Sequence, residues 1–291
     1  MFAGTFTALI TPFKNQQFDE SAFERQIKAQ TDAGITGIVP VGTTGESPTL
    51  SHEEHRRVIE IAVSLGHDAG LKVIAGTGSN STAEAIELTA HAKASGADAA
   101  LLVNPYYNKP PQEGLFRHFA AIARQVDIPI VLYNIPSRTG ITMTVATMKR
   151  LTSECKNIVA VKDAAGSLDL TSEAVGAGLT VLSGDDSLTL PMMAVGAKGV
   201  VSVASNIVPE MVVAMVKHAA DGNFDQARLI HHRLFALCRA LFIETNPIPI
   251  KAALEMVGRD SGELRLPLCE LSNANRPALQ AALLAAGLSP R

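Results

Sequence analysis

A lysine and a tyrosine stand at the ends of two apolar segments, where they could do covalent and proton-transfer chemistry. Lys162 closes the run Ile158–Lys162, so an apolar strand would carry its ammonium group into a partly desolvated place. Desolvation lowers the pKa of an ammonium group, and a partly neutral lysine can form an imine. Tyr133 ends the preceding apolar run and could move protons beside that lysine. An ion pair of Lys162 with Asp163 or Glu46, and simple packing of the tyrosine ring, remain open as structural alternatives.

Three further side chains suit the capture of a carboxylate. Thr43 and Thr44 stand between two glycines, where their hydroxyls and the exposed backbone N–H groups could form a cradle and a proton relay. Arg138 follows a proline in a polar loop, and its planar guanidinium can bind a carboxylate through two hydrogen bonds. A tight turn at the threonines and a solvated loop arginine remain open as alternatives.

Other familiar site patterns are incomplete in the sequence. Gly76 and Gly78 lack the third glycine and the downstream acid of a dinucleotide fingerprint, so an NAD site is discarded. His52 and His55 could share a metal ion, but no third ligand is near, and we expect a solvated polar helix face. The three cysteines are far apart, which predicts neither disulfides nor a zinc site.

Composition excludes several classes of function. The chain has 291 residues, of which 47% are hydrophobic and 18% charged, so it can bury a substantial core. The formal net charge of −3 disfavours nucleic acid and anionic membrane surfaces as partners. The N-terminus lacks the basic start of a signal peptide, and no apolar stretch approaches membrane-spanning length. We therefore expect a globular, cytoplasmic protein.

Eight short apolar runs predict the strands that position the candidate groups, and stretches of helical spacing separate most of them. The runs are Thr5–Ile10, Gly37–Val41, Lys72–Gly76, Ala99–Val103, Pro129–Tyr133, Ile158–Lys162, Thr180–Ser183 and Val200–Val203. Nearly continuous apolar strands at this spacing predict a parallel sheet covered on both faces. Eight units is the count of a closed (β/α)8 TIM barrel, and an open doubly wound sheet is the rival architecture.

The barrel prediction explains where the candidate groups would meet. In such barrels the catalytic groups stand at the C-terminal ends of the strands and in the loops that follow, which is where the groups above fall. We expect the catalytic barrel to cover residues 1–223 and a C-terminal helical domain to cover residues 224–291. In that tail, Asn246-Pro-Ile-Pro249 is expected to interrupt the helices.

Five ordered motifs at the predicted strand ends resemble the dihydrodipicolinate synthase family of pyruvate-dependent class I aldolases. They are GTTGES after strand two, NPYYNKP after strand four, YNIPSRTG after strand five, VAVKDA at strand six and SGDDS after strand seven. The similarity extends to NPIPIK and LRLP in the tail. A non-enzymatic binding module is disfavoured, because every catalytic position of the family is filled.

The resemblance implies a mechanism for these residues. Lys162 would form a Schiff base with pyruvate, with no cofactor and no metal, and Tyr133 would be the general acid and base. A proton relay would run from Thr43 through Tyr133 to Tyr107, with Tyr107 supplied by the neighbouring subunit of a tight dimer.

The resemblance also implies the substrates. Thr44 would bind the carboxylate of pyruvate, with Gly184 and the backbone of Val201 lining the pocket. Arg138 would hold the carboxylate of aspartate 4-semialdehyde. The SRTG loop around Arg138 favours this first committed step of lysine and diaminopimelate biosynthesis over a related lyase that acts on another 2-keto acid.

Assembly and regulation are implied in the same way. The family is usually a homotetramer, built as a dimer of tight dimers, and some members bind lysine at the dimer interface. The residues that match the positions lining that site are His52, His55, Asn80, Glu84 and Tyr106. Inhibition by lysine is therefore a hypothesis, and an ordinary polar helix surface is the alternative for these residues.

Overall fold

The computed structural model describes residues 2–291, and eight parallel strands in it close into a barrel. The strands, labelled β1 to β8, are Gly4–Ala8, Gly37–Val39, Lys72–Gly76, Ala99–Val103, Ile130–Asn134, Ile158–Asp163, Val181–Ser183 and Gly199–Ser202. Each strand pairs with its neighbours in chain order, and β1 pairs with both β2 and β8. The predicted (β/α)8 barrel is therefore confirmed, and the open doubly wound sheet is excluded.

Helices surround the barrel and continue beyond it. Labelled α1 to α12, they are Glu20–Asp32, His52–Asp68, Thr82–Ala94, Gln112–Gln125, Pro136–Thr139, Val145–Glu154, Leu168–Gly176, Thr189–Ala194, Pro209–Ala220, Phe224–Ala240, Ile248–Met256 and Arg276–Ala285. Helix α10 packs against α9 and α12, and α12 packs against α11. We call α10 to α12 and their connections, residues 224–291, the C-terminal layer; the division of the chain into two domains stays a prediction. None of the helices in residues 2–291 has the length and apolar character needed to cross a membrane.

The start of α2 shows how local sequence sets an element. The Ser51 hydroxyl accepts a hydrogen bond from the Glu54 backbone N–H at 3.1 Å, and the Glu54 carboxylate accepts one from the Ser51 backbone N–H at 2.9 Å. This capping box satisfies two backbone donors that a helix start leaves without partners. The helix that follows begins on the side of the barrel where the site lies.

Alternation along the strands directs side chains either into the barrel or toward the helices. Val131 and Ala160 pack inside the barrel, whereas Leu132 packs outside against the helices. Tyr133 and Lys162 stand two positions beyond the inward pair, so they also point into the barrel. The two-residue period of the strands therefore aims both side chains at the barrel mouth.

Three strands end earlier than predicted, of which β8 ends only one residue early, at Ser202. Strand β1 ends at Ala8, and β2 ends at Val39 although the apolar run continues to Val41. Pro40 cannot donate a ladder hydrogen bond, and Val41 has a left-handed φ of 48° that no strand residue adopts. The chain therefore leaves the sheet before the loop that carries Thr43 and Thr44.

Candidate active site

Lys162 and Tyr133 lie side by side on adjacent strands at the C-terminal end of the barrel. The parallel register pairs Tyr133 of β5 with Lys162 of β6, and the Lys162 Nζ lies 4.0 Å from the centroid of the tyrosine ring. Both side chains are buried, with 6% of Lys162 and 5% of Tyr133 exposed. In this arrangement the amine can form an imine with a carbonyl compound, and the phenol can exchange protons during its formation.

The structure does not form the ion pairs that were the structural alternative for Lys162. Asp163 follows it on β6, and its Oδ1 accepts a hydrogen bond from the Asn134 side chain at 3.0 Å. Glu46 instead pairs with Lys251, at 2.5 Å. Burial raises the pKa of Asp163, which further reduces its value as a counter-ion. Within residues 2–291 the Lys162 ammonium therefore has no carboxylate partner.

Gly184 leaves the space that the lysine side chain occupies. A Cβ atom at this position would lie 3.1 Å from Cε of Lys162 and 2.8 Å from Cβ of Ala164. Val201, the other predicted wall of the pocket, is buried inside the barrel on β8. Gly184 thus lies beside Lys162 and Val201 lies inside the barrel, and the prediction that both line a pyruvate pocket stays a prediction.

The predicted carboxylate-binding side chains meet at one residue of the C-terminal layer. Thr44 is buried, and its hydroxyl accepts a hydrogen bond from the Asn246 side-chain amide at 3.0 Å. Arg138, on the short helix α5, donates a hydrogen bond to the Asn246 backbone carbonyl at 2.8 Å. Asn246 therefore connects the loop after β2 to the loop after β5.

Asn246 is a site residue that the sequence interpretation missed. The sequence predicts only a chain break there, yet the side chain is 95% buried, at 5% exposure, and its Oδ1 has no hydrogen-bond partner within residues 2–291. Buried amide oxygens are usually satisfied, so this atom is available to a polar group that enters the site. The available signal was the family-like NPIPIK segment, but its contact with Thr44 spans 202 positions of the chain.

A cavity of about 490 Å³ opens from the barrel mouth toward the starts of α2 and α3. The predicted site residues along its walls are Thr43, Tyr133, Arg138, His52, His55, Glu84 and Tyr106. Four of the five residues of the predicted lysine site thus share a cavity with Thr43 and Tyr133, whereas Lys162 and Tyr107 are not among its wall residues. The fifth, Asn80, lies outside these walls, where its backbone carbonyl accepts a hydrogen bond from Asn108 at 2.9 Å.

His55 corrects the expectation of a solvated histidine face. Only 4% of it is exposed, and its Nε2 lies 3.0 Å from the backbone carbonyl of Gly76 at the end of β3. His52 is exposed, and its Nε2 lies 3.2 Å from Glu84. The two histidines diverge because α2 packs against β3, which buries one of them and leaves the other at the rim. Burial lowers the pKa of His55 to about 4.

We expect this burial to make the folding stability depend on pH between about 6.5 and about 4. The folded pKa of His55 lies below its ordinary value of 6.5, so the unfolded chain takes up a proton first as the pH falls. The contribution of His55 to the free energy of unfolding is therefore complete above pH 6.5 and is lost as the pH falls towards 4. His118 behaves in the same way, because burial also lowers its pKa to about 4.

The variant His55→Gln should therefore lose on the order of 2 kcal/mol of the stability difference between pH 7 and pH 4.5. Urea unfolding of the wild type and the variant at the two pH values measures this difference in the free energy of unfolding. His232→Gln, at an exposed position on α10, is the matched control and should keep the dependence of the wild type. An unchanged pH dependence in His55→Gln would contradict the prediction.

Tyr107 does not reach the site within its own subunit. It is 91% exposed, with a left-handed φ of 70°, in the loop between β4 and α4. Tyr106 beside it is 38% exposed and lines the cavity. Burial and the nearby Glu84 carboxylate raise the pKa of Tyr106. The third member of the predicted relay therefore lies outside the cavity that Thr43 and Tyr133 line, and the relay stays a prediction.

Comparison with known proteins decides the family. The model of the dihydrodipicolinate synthetase family matches residues 1–286. The chain belongs to this family. It is 54% identical to the 4-hydroxy-tetrahydrodipicolinate synthase of Methanocaldococcus jannaschii over 289 residues, which cover 99% of this chain and 100% of that protein.

Solved structures of dihydrodipicolinate synthases agree with this assignment. The crystal structure from Aquifex aeolicus has a TM-score of 0.97 and 52% identity, and covers 100% of both chains. The chloride-inhibited enzyme of Acinetobacter baumannii, complexed with pyruvate, has a TM-score of 0.95 and 43% identity, and covers 99% of this chain and 100% of that one. The family and the lyase function predicted from the sequence, that of a 4-hydroxy-tetrahydrodipicolinate synthase, are therefore confirmed.

Proposed function

We propose that the protein condenses pyruvate with aspartate 4-semialdehyde through an imine on Lys162. The observation that carries this proposal is the buried Lys162 ammonium against the Tyr133 ring, with no carboxylate partner in residues 2–291. A family relative that is solved with pyruvate supports the first substrate. The name shared by the sequence relatives supports the reaction.

The chemistry balances with the groups present and two substrates. The Lys162 amine adds to the keto carbon of pyruvate, and water leaves to give the iminium. This cation is an electron sink, so a methyl proton is lost to give an enamine without a metal or redox cofactor. The enamine carbon bonds to the aldehyde carbon of the second substrate, the aldehyde oxygen takes up a proton, and the iminium is restored. The amine of that substrate then attacks the iminium carbon, which closes the ring and releases the lysine.

Tyr133 is the group we propose to carry protons in these steps. The contact of its ring with Lys162 supports a role for its hydroxyl in proton transfer at the keto carbon of pyruvate bound to that lysine. Thr43, on the wall of the same cavity, would pass protons onward. Tyr107 of a neighbouring subunit would complete this relay.

Thr44 and Arg138 are the groups we propose to hold the two carboxylates. The Thr44 hydroxyl accepts its hydrogen bond from Asn246, so its own proton remains free to bind pyruvate. Arg138 donates one of its five N–H groups to Asn246, and the remaining donors can bind the carboxylate of the semialdehyde.

Substrate choice is tested by comparing second substrates. With pyruvate held constant, consumption of aspartate 4-semialdehyde is measured against that of sugar-derived aldehydes, the acceptors of the related lyases. We expect condensation with the semialdehyde at the highest kcat/KM. Much higher turnover with a sugar-derived aldehyde would replace this assignment by that of a lyase for another 2-keto acid.

Arg138→Ala should separate the two substrates. We expect kcat/KM for aspartate 4-semialdehyde to fall by about 10²-fold, because one charge-assisted pair is lost. Imine formation with pyruvate, followed by trapping with borohydride, should change by less than about twofold, because only the second carboxylate loses its partner. Arg117→Ala, on the exposed surface of α4, is the control. Equal losses in both measurements would remove the proposed role of Arg138.

We propose that the working form is a homotetramer built from tight dimers. The exposed Tyr107, which the relay needs from a neighbouring subunit, supports at least the dimer. Sedimentation at enzyme concentrations used in assays measures the assembly. The cytoplasmic location and the lysine-binding role of His52, His55, Asn80, Glu84 and Tyr106 stay predictions.

A further inference from the structure

The carboxylate of Glu46 is buried at the end of the loop that carries Thr43 and Thr44, and the C-terminal layer supplies its hydrogen-bond donors. Lys251 Nζ donates to Oε1 at 2.5 Å, and the backbone N–H of Arg265 donates to Oε2 at 3.2 Å. The side chains of Glu46 and Lys251 are both completely buried. The loop is therefore attached to a part of the chain that does not belong to the barrel strands.

The position of Glu46 is linked to that of the two threonines by the backbone of their shared turn. Glu46 has a left-handed φ of 53°, which is uncommon for a residue with a side chain and persists only when its surroundings impose it. Its backbone N–H donates to the carbonyl of Thr43 at 3.1 Å. A shift of Glu46 would therefore shift the turn in which Thr43 and Thr44 stand.

Lys251 makes further contacts that hold its ammonium group beside Glu46. It also donates to the Glu263 backbone carbonyl at 2.7 Å, and it lies 4.1 Å from the centroid of the Phe13 ring. The charged groups that act on it are Glu46, Asp260 and Glu263. Burial lowers the pKa of Lys251, and the Glu46 carboxylate opposes that shift. A buried pair of this kind is strongly disrupted when one partner is removed, because the other charge is left without compensation.

We infer that Glu46 and Lys251 are positioning residues for the binding of pyruvate. Neither touches the substrate in this scheme. The C-terminal layer uses the pair to hold the loop after β2, so that Thr44 faces the carboxylate of a pyruvate on Lys162. The inference rests on the proposed function, since it assumes that pyruvate binds at Lys162.

Two variants test it without leaving either partner of the pair charged and alone. Glu46→Asp keeps the pair but shortens the carboxylate arm, and the double variant Glu46→Gln with Lys251→Met removes both charges at nearly constant volume. The control is Arg276→Met, which removes a partly exposed ion pair with Glu255 in the same layer. The measurement is the pyruvate concentration that gives half-maximal borohydride trapping on Lys162, together with the maximal rate and the thermal unfolding temperature.

We expect the half-saturating pyruvate concentration to rise about tenfold in both variants and not in the control, because the carboxylate cradle is displaced. The KM for the semialdehyde should stay within about threefold of the wild type, because its carboxylate is proposed to bind at Arg138. A merely structural pair would lower the unfolding temperature and the fraction of active enzyme but leave the half-saturating concentration unchanged.

The two proposals fail in different ways. If the wild type is not trapped at all, the proposed function is wrong. If the wild type is trapped and either folded variant keeps the wild-type half-saturating concentration, the positioning role is overturned. Should the double variant not fold, Glu46→Asp alone decides, because it retains the ion pair.

Discussion

Replacing Lys162 by methionine should lower kcat by roughly four orders of magnitude or more, because no other residue can take its place in covalent catalysis. Methionine is close to lysine in length and can still pack against the Tyr133 ring, which lies 4.0 Å from the wild-type Nζ. The buried ammonium is also removed, so we expect the variant to remain folded. The steady-state rate and the mass of the protein after treatment with pyruvate and borohydride measure the effect.

The mass experiment gives the sharper result. Wild-type protein should gain one reduced pyruvate on the peptide that contains Lys162, and the variant should gain none. Lys149→Met, on the exposed side of α6, is the matched control and should be trapped like the wild type. An adduct that persists in Lys162→Met, or a wild-type adduct that maps to another lysine, would contradict imine formation on Lys162.

Tyr133→Phe should slow the reaction by roughly 10²- to 10³-fold, the usual contribution of a positioned general acid and base. The ring and its contact with Lys162 remain, so folding and the fit of the pocket should change little. Since only proton transfer is impaired, imine formation should become slow while the final extent of trapping stays close to the wild type. Rapid-quench trapping with borohydride separates these two quantities.

Tyr106→Phe controls for the loss of a hydroxyl group in the same cavity. Tyr106 is partly exposed and lines the wall beyond the barrel mouth, so its hydroxyl should be dispensable for imine formation. A Tyr133→Phe enzyme whose rate of imine formation lies within about twofold of the wild type would show that another group carries the protons.

The barrel and its inward-facing pair could be predicted because both depend on local patterns. Apolar runs at βαβ spacing predicted the eight strands, and the strand ends placed Lys162 and Tyr133 at neighbouring positions. The two-residue period of a strand then determines which side chains point inward. Strand ends were less certain, because the apolar run through Val41 continues past the point where the backbone leaves the sheet.

The hydrogen bonds and the ion pair that join distant segments at the site could not be predicted from local patterns. Asn246 reaches Thr44 and Arg138, and Lys251 reaches Glu46, across more than 100 positions of the chain in each case. No spacing rule joins such distant residues, since the barrel must first close and the C-terminal layer must then pack on it.

The burial of the two histidines could not be predicted from the sequence either. His52 and His55 share one helix and similar neighbours in the sequence, and both were expected to face solvent. The packing of α2 against β3 buries His55 against Gly76 and leaves His52 at the rim. Burial, and with it the pKa of a histidine, depends on what lies opposite the helix rather than on the helix itself.

The sequence by itself determined the fold class, the family resemblance and the chemical groups of the site, because strand periodicity and motif order are properties of neighbouring residues. The tertiary structure decided which groups are paired. Among residues 2–291 it left the Lys162 ammonium without a carboxylate partner and paired Glu46 with Lys251, and it placed Asn246 between the loops that carry Thr44 and Arg138. The physical reason is that desolvation and hydrogen-bond partners depend on contacts between distant segments, which exist only after the barrel and its C-terminal layer have packed together.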